Sequence, residues 1–443
     1  MRYTLFICLL LTTLCLSAQT KQNSPYSRYG IGDLLPQYFI SQAGMGGQTA
    51  AFHDPYHLNL VNPASYASLR STALETGLYG KYSHYTSNSS SLDRWSANLA
   101  YLSHGFTLKS PINEVLDKDK SPKRFGMGFS LTPYSLLGYD IAVQDSLAGI
   151  GQVENTFLGN GGTYKLTWSS AMRYKNTSFG VNLGWLFGKA KYETQAYFAE
   201  TLSAPTFRDN VRQDLGLNGF LWNLGVQHDF VLEYVEKEKE NPKRLITVGL
   251  TAESNHKVRI TEDKLFLRSR GRLPNGLYRS PDTLVFDKEV KKNLTLPATF
   301  SVGVQYVTPK LKIGGQIGLE TWSNYENEAR PEQLHNTVST SVGVEYTPDV
   351  FSYNRYLKRV RYRAGAYFRQ DPRTVNGQDF NDLGVTFGFG FPVIMPRQQT
   401  SFVNAAFELG KLGAGSTVSE SYARITLGFT LNDNTWFYKR RFE

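Results

Sequence analysis

The chain has 443 residues, 48 Lys plus Arg against 38 Asp plus Glu, a formal charge of +10, 14% aromatic residues and only 19% charged ones. A mean hydropathy of −0.35, with no apolar run of about 18 residues beyond Leu16, excludes a helical membrane bundle. Low charge with abundant aromatics excludes a disordered or coiled-coil chain, and what is left is an all-β profile.

The first 18 residues read as a signal peptide: a basic start at Met1-Arg2, an apolar stretch from Leu5 to Leu16, and a small-residue cleavage site at Leu16-Ser17-Ala18. Cleavage after Ala18 starts the mature chain at Gln19 and removes both cysteines, Cys8 and Cys15. The mature protein then has no thiol, disulfide or Cys-based metal site, and it is exported.

Residues 19–71 lack strand alternation and are rich in Gly, Pro and Asn, as in Ser24-Pro-Tyr-Ser-Arg-Tyr-Gly30, Gly44-Met-Gly-Gly47 and Leu60-Val-Asn-Pro-Ala-Ser65. His53-Asp-Pro-Tyr-His57 places two His four apart, but Pro55 breaks a helical spacing and no third ligand is near. The pair is read as structural and no metal is expected.

From residue 72 onward the period is two. Phe179, Val181, Leu183, Trp185 and Phe187 share one face against Gly180, Asn182, Gly184 and Leu186; Leu383–Phe391 and Ala423–Leu431 repeat the pattern. About fourteen such segments, each long enough to cross a bilayer as a tilted strand, are expected at 72–85, 94–104, 124–134, 163–174, 177–190, 220–234, 244–253, 295–306, 311–323, 336–346, 359–369, 381–391, 400–409 and 420–431. The connections alternate between long (135–162, 191–219, 254–294) and short (175–176, 307–310). That is the habit of an outer-membrane barrel with its N-terminus in the periplasm. The expected fold is all-β: a transmembrane antiparallel barrel over 72–443. Its lumen is too wide for wall side chains to fill, so 19–71 is placed inside as an N-terminal hatch.

Gly159-Asn-Gly-Gly162 lacks the lysine and helix of a phosphate loop and reads as a loop or bend. Glu236–Lys243, with alternating charge, reads as a solvated turn, and 254–294 as a projecting hairpin with Pro274-Asn-Gly276 at its tip. No GxSxG and no grouping of Ser, His and acid appears, so the chain reads as a non-enzyme without cofactors. By alternation Lys165, Arg173, Asn223, Gln227, Asp229, Gln305, Lys312, Gln316, Glu320, Arg361, Arg363, Arg369, Glu408 and Arg424 point inward. Arg361, Arg363 and Arg369 share one face. Two uses are open: pairing with Asp229, Glu320 and hatch residues to hold the plug, or a fork for a substrate carboxylate.

Gly44-Met-Gly-Gly47 followed by Asn62-Pro-Ala64 resembles the hatch of the FadL-type outer-membrane transport proteins. Leu296-Pro-Ala298, Gly303-Val-Gln-Tyr306, Trp322-Ser-Asn-Tyr325, Gly343-Val-Glu-Tyr346 and Arg363-Ala-Gly-Ala-Tyr367 follow in that family's order. Ser24–Gly30 resembles a divergent branch that includes barrel subunits of type 9 secretion machinery. The tail Trp436–Glu443 departs from the usual ending in a terminal aromatic. The resemblance implies a fourteen-strand barrel in the outer membrane, a hatch carried by Gly44, Gly46, Gly47, Asn62, Pro63 and Ala64, and passage of hydrophobic or amphipathic molecules of the long-chain fatty acid type. Arg361, Arg363, Arg369, Lys312 and Glu320 are the candidate lumen residues. The alternative is a non-transporting barrel subunit of a larger outer-membrane assembly. Expected partners are outer-membrane lipid and lipopolysaccharide, which the positive charge would favour, a hydrophobic ligand, and other outer-membrane proteins. Nucleic acid is not among them.

Overall fold

The computed structural model describes residues 24–87, 90–108, 123–147, 151–198, 207–235, 238–270, 281–375, 378–395, 399–413 and 418–433. The expected signal peptide, the hairpin tip around Asn275 and the C-terminal tail lie outside the described residues. Sixteen strands longer than two residues form the wall. They are β1 (Thr72–Ser87), β2 (Ser91–Thr107), β3 (Lys123–Leu147), β4 (Gly151–Tyr174), β5 (Thr177–Phe198), β6 (Phe207–Val235), β7 (Glu238–Glu253) and β8 (His256–Arg270). They continue with β9 (Asp282–Leu296), β10 (Thr299–Val307), β11 (Leu311–Glu320), β12 (Thr337–Tyr346), β13 (Arg361–Val375), β14 (Gln378–Met395), β15 (Gln399–Leu412) and β16 (Val418–Asp433). Adjacent staves pair antiparallel, and β16 returns to β1 from Val418↔Ser87 to Asp433↔Thr72, closing the barrel. β7 and β8 lie along the same edge of β6, and β10 and β9 follow them, so each pair acts as one broken stave and the barrel has fourteen.

The alternation explains the closure. Leu78, Trp185, Phe220, Ile317, Val342 and Leu427 point outward and are exposed. Each apolar side chain left in water forgoes about 1.5–3 kcal/mol of transfer free energy. The wall therefore suits hydrocarbon, where a closed ladder satisfies every backbone group.

Several strands run well beyond their expected ends. The stretch 135–162, expected as an outer loop, forms the outer halves of β3 and β4, paired from Ser135↔Thr163 to Leu147↔Gly151. The stretch 191–219 is likewise largely strand, in β5 and β6. The Gly159–Gly162 stretch is not a loop or bend but lies within β4, where Gly161 and Gly162 take φ of +135° and +150°. A Cβ on Gly161 would lie 2.1 Å from the Lys189 carbonyl oxygen. Beyond the apolar belt the outward face meets water while the inner face still buries Tyr139, Tyr192 and Leu215, so the outward apolar alternation fades while the ladder continues. The 254–294 hairpin exists as β8 and β9 but does not project freely: β8 is zipped to β6 from Asn218↔Arg259 to Phe207↔Arg270.

One seam is incomplete. β2 and β3 pair only between Leu102–Thr107 and Gly126–Leu131, six pairs, and then fork. Irregularities sit at the fork, beside Ala100 in β2 and at Tyr134 in β3, and Pro133 has no N–H to offer the ladder. The freed edge of β3 is taken by the N-terminal segment: Asp33 and Leu34 pair with Leu136 and Ser135, and Leu35 N donates to Tyr134 O at 3.0 Å.

Candidate functional site

Residues 24–71 lie inside the barrel. Their backbone is irregular apart from a short helix at Ile40–Ala43 and two 3-10 turns, so buried amides and carbonyls need partners from outside secondary structure. Wall side chains supply many. Gln316 Oε1 accepts from Thr49 N at 2.7 Å and Ala50 N at 2.8 Å, Gln227 Nε2 donates to Ala50 O and Phe52 O, and Thr386 accepts from Gly46 N. Asn62 caps the Pro63–Ser68 turn by accepting from Ala64 N, and its amide reaches Ala50 O at 2.6 Å.

The close fit depends on glycine on both sides. Gly46 and Gly47 hold φ of +72° and +79°, which turns the segment back against β13 and β14. Around the wall, Gly126, Gly180, Gly249, Gly343, Gly365 and Gly388 face the segment's backbone; a Cβ at Gly249 would lie 1.9 Å from Ala50 O and one at Gly343 2.4 Å from Met45 O. Gly44 meets Gly388 directly, and Pro63-Ala64 covers Gly180. Phe39, Met45, Ala50, Phe52 and Ala64 are essentially without exposure.

A closed ring of polar contacts ties segment to wall. Asp54 Oδ2 accepts from Lys312 Nζ at 2.8 Å and from Arg361 Nη1 at 2.8 Å. Lys312 also reaches Glu345 at 3.1 Å, Glu345 accepts from Arg363 Nε at 2.7 Å, and Arg363 Nη1 donates to Asn404 Oδ1 at 3.1 Å. With its oxygen so used, Asn404 turns its amide toward His57 Nε2 at 3.3 Å, and His57 Nδ1 faces Asp54 Oδ1 at 3.2 Å, closing the circuit. Since Asn404 donates, Nε2 accepts and the proton sits on Nδ1: His57 is the neutral tautomer. Burial lowers the His57 pKa to about 4 against the opposing pull of Asp54. Burial alone would raise the Asp54 pKa, but Arg361 and Lys312 outweigh it and hold the carboxylate well below its ordinary range.

Above this ring lies a cavity of about 420 Å³, lined by Tyr29–Tyr38 and by Lys165, Glu253, Glu320, Arg369, Glu408 and Arg424 among others. Arg369 donates to Tyr38 Oη at 2.9 Å, and Arg373 clasps Asp33 and Asp371, both at 2.6 Å. Leu186, Ile260, Leu294 and Val258, all at 1% exposure or less, pack with Ile31, Trp322 and Tyr325 beside the cavity.

The three arginines on one face of β13 therefore have two jobs. Arg361 and Arg363 join the ring with Lys312, whereas Arg369 belongs to the cavity. Glu320 is a correction: it is not among the carboxylates that pair with these cations but accepts from Trp322 Nε1 at 2.6 Å at the cavity wall. Asp229 pairs with Arg173 at 2.6 Å and with His53 at 3.2 Å, so His53 and His57 turn to different partners and do not converge. The sequence reading missed Asp54, Glu345 and Asn404. The odd-numbered face of β12 and the even-numbered face of β15 would have placed the last two inward; for Asp54, in irregular chain, no periodic signal exists.

The fold has counterparts among solved structures. The Ralstonia pickettii toluene transporter TbuX superposes with a TM-score of 0.53 at 11% identity, covering 90% of this chain and 99% of that one. A Pseudomonas aeruginosa FadL homologue gives 0.54 at 12% identity with the same coverages. The Pseudomonas putida toluene transporter TodX gives 0.53 at 13% identity, covering 91% of this chain and 99% of that one. At such identities the likeness is one of fold, and it makes the barrel FadL-like. No curated protein matches the sequence. The BamG family model matches residues 1–443 in full, and the chain belongs to the BamG family.

Proposed function

We propose that this protein is an exported outer-membrane barrel, closed by a fixed plug formed by residues 24–71, that serves as a structural subunit of a larger outer-membrane assembly. The observation that carries this reading is the tightly seated plug. Glycines and the Asp54–His57 ring seat it against most of the wall, and the buried cluster around Ile260 and Leu294 narrows the lumen on the long-loop side. The cavity beside it mixes apolar side chains such as Ile31, Leu35 and Trp322 with charged ones such as Glu253, Arg369 and Arg424. Strands of 22 to 29 residues in β3–β6 stand far taller than the 10 residues of β11 and β12. They raise a one-sided sheet that a partner could grip. In this reading Gly44, Gly46, Gly47, Asn62, Pro63 and Ala64 seat the plug, and Lys312, Arg361 and Arg363 clamp it. The test is extraction in mild detergent followed by native mass measurement and planar-bilayer conductance. A stoichiometric complex and a barrel with no steady conductance are expected; a solitary barrel with ligand-dependent uptake would overturn the reading.

A second reading rests on the fork between β2 and β3. Leu35, Ile40, Ala100, Tyr101 and Pro133 line a small recess there that shares Tyr38, Glu408 and Arg424 with the larger cavity. If Asp33–Tyr38 moved, a hydrophobic or amphipathic molecule could pass sideways into lipid, in keeping with the toluene transporters of similar fold. Uptake that depends on residues 33–38 would favour it.

A further inference from the structure

We propose that the turn 347–360, between β12 and β13, is an interfacial anchor that binds the phosphate headgroups of anionic phospholipid at the short-turn end of the barrel. This inference rests on the membrane position argued above, but not on whether the barrel conducts or docks.

The turn spans fourteen residues at an end where β4 and β5 are joined by Lys175-Asn176 alone. It is ordered rather than loose: Asp349 N donates to Lys358 O at 2.9 Å, and the Asp349 carboxylate accepts from Phe351 N at 3.1 Å. Order of this kind ordinarily hides apolar groups, yet Phe351 is 93% exposed, Tyr353 95% and Leu357 67%. Two bonds show where the turn leans. Tyr356 Oη donates to Pro392 O at 3.1 Å, and Tyr362 Oη donates to Leu357 O at 3.0 Å.

Tyr362 is on the outward face of β13 and meets Phe389 edge-on at 6.0 Å, and Phe389 in turn meets Phe391 and Phe407. The turn is thus fastened to the outward aromatic girdle, and its exposed rings prolong the lipid-facing surface past the ends of the strands. Aromatic rings at that depth sit among headgroups. Arg355, Lys358 and Arg359 lie among them, against a single acid, Asp349, whose carboxylate serves the turn's own backbone. None of the three cations forms an ion pair among the described residues; Arg359 lies over the Tyr356 ring at 5.3 Å. Three unspent cations beside exposed rings, continuous with the apolar belt, match an anionic headgroup above its acyl chain.

The test uses the full-length barrel, with folding checked by its heat-dependent gel mobility, titrated in neutral detergent with phosphatidylglycerol or phosphatidylcholine and read by native mass spectrometry. Wild type should retain phosphatidylglycerol preferentially. R355Q/K358Q/R359Q should lower that retention by roughly a hundredfold and leave phosphatidylcholine unchanged, since each cation near an anionic surface contributes about a fivefold factor separately. F351S/Y353S should weaken retention of both lipids. Inorganic phosphate at equal concentration should not compete; competition by it would mean a free-phosphate site. Equal retention of the two lipids by wild type, or no change in the triple variant, would overturn the proposal. So would unchanged lipid retention with loss of a co-purifying protein in F351S/Y353S, because the turn would then be a protein contact.

Discussion

His57 and Asp54 face each other at 3.2 Å, and the imidazole stays neutral although its partner is an ionised carboxylate. Two guanidinium groups, those of Arg361 and Arg363, oppose its protonation along with burial. The pair is stable only in that one charge state, which makes the plug sensitive to acid.

With the folded pKa of His57 near 4 and an unfolded value of about 6.5, the released state binds more protons between those limits. Stability of the seated plug therefore falls as pH drops through 6.5 and levels off near 4, by on the order of 3 kcal/mol in total. Asp54, depressed below its usual value, adds a loss at still lower pH. The hydrogen-exchange protection factors of residues 45–65, taken relative to intrinsic exchange at each pH, should fall from pH 7 to pH 4.5, and H57Q should flatten that dependence.

Removing one member of the ring leaves the others buried and unpaired. D54N and R363A should each destabilise the seated plug by about 3–5 kcal/mol, read as steady conductance in a planar bilayer. R369A should do less, because Arg369 is bonded to Tyr38 and sits at the cavity. Equal conductance in R363A and R369A would show that the ring is not the clamp.

Glycine substitutions separate plug seating from barrel folding. G249V should displace the plug, since a Cβ there would lie 1.9 Å from Ala50 O, whereas G80A, with nothing within 4 Å of the added carbon, should behave as wild type. Limited proteolysis of 40–60 in a barrel that still runs at its folded gel mobility is the expected result for G249V.

The fork predicts uneven exchange along one strand. Above Leu102, β2 is hydrogen-bonded to β1 but not to β3, so alternate amides between Leu92 and Ala100 face no ladder partner. They should exchange orders of magnitude faster than their neighbours. Uniform protection along 92–107 would mean that the seam zips shut in the membrane.

The membrane-level fold was legible because lipid imposes a rule on every second residue, which Phe179 to Phe187 and Leu383 to Phe391 obey, and because long and short connections alternate between such segments. The rule lapses where the outward face leaves lipid for water. For that reason the outer halves of β3 to β6 passed for loops, and Gly159–Gly162 for a bend. The inward parity of Lys312, Arg361 and Arg363 was legible by the same logic, but their partner was not. Asp54 lies 258 residues from Lys312 and 307 from Arg361, in a segment with no period, and nothing local marks it as the centre of the ring. Trp322, which takes up Glu320, sits in a 3-10 turn just beyond β11, where strand alternation no longer predicts direction.

The ring also fixes an order of events in assembly. Its wall members lie on β11, β12, β13 and β15, and the last of them, Asn404, stands about nine-tenths of the way along the chain. Residues synthesised first thus wait for nearly all the rest before they can be locked, and the seam between β16 and β1 needs the same late strands. Contacts so distant in sequence are slow to form. Until then the N-terminal segment has a hollow to occupy but no lock, so a chain stalled before β15 would hold its wall open around an unsecured centre.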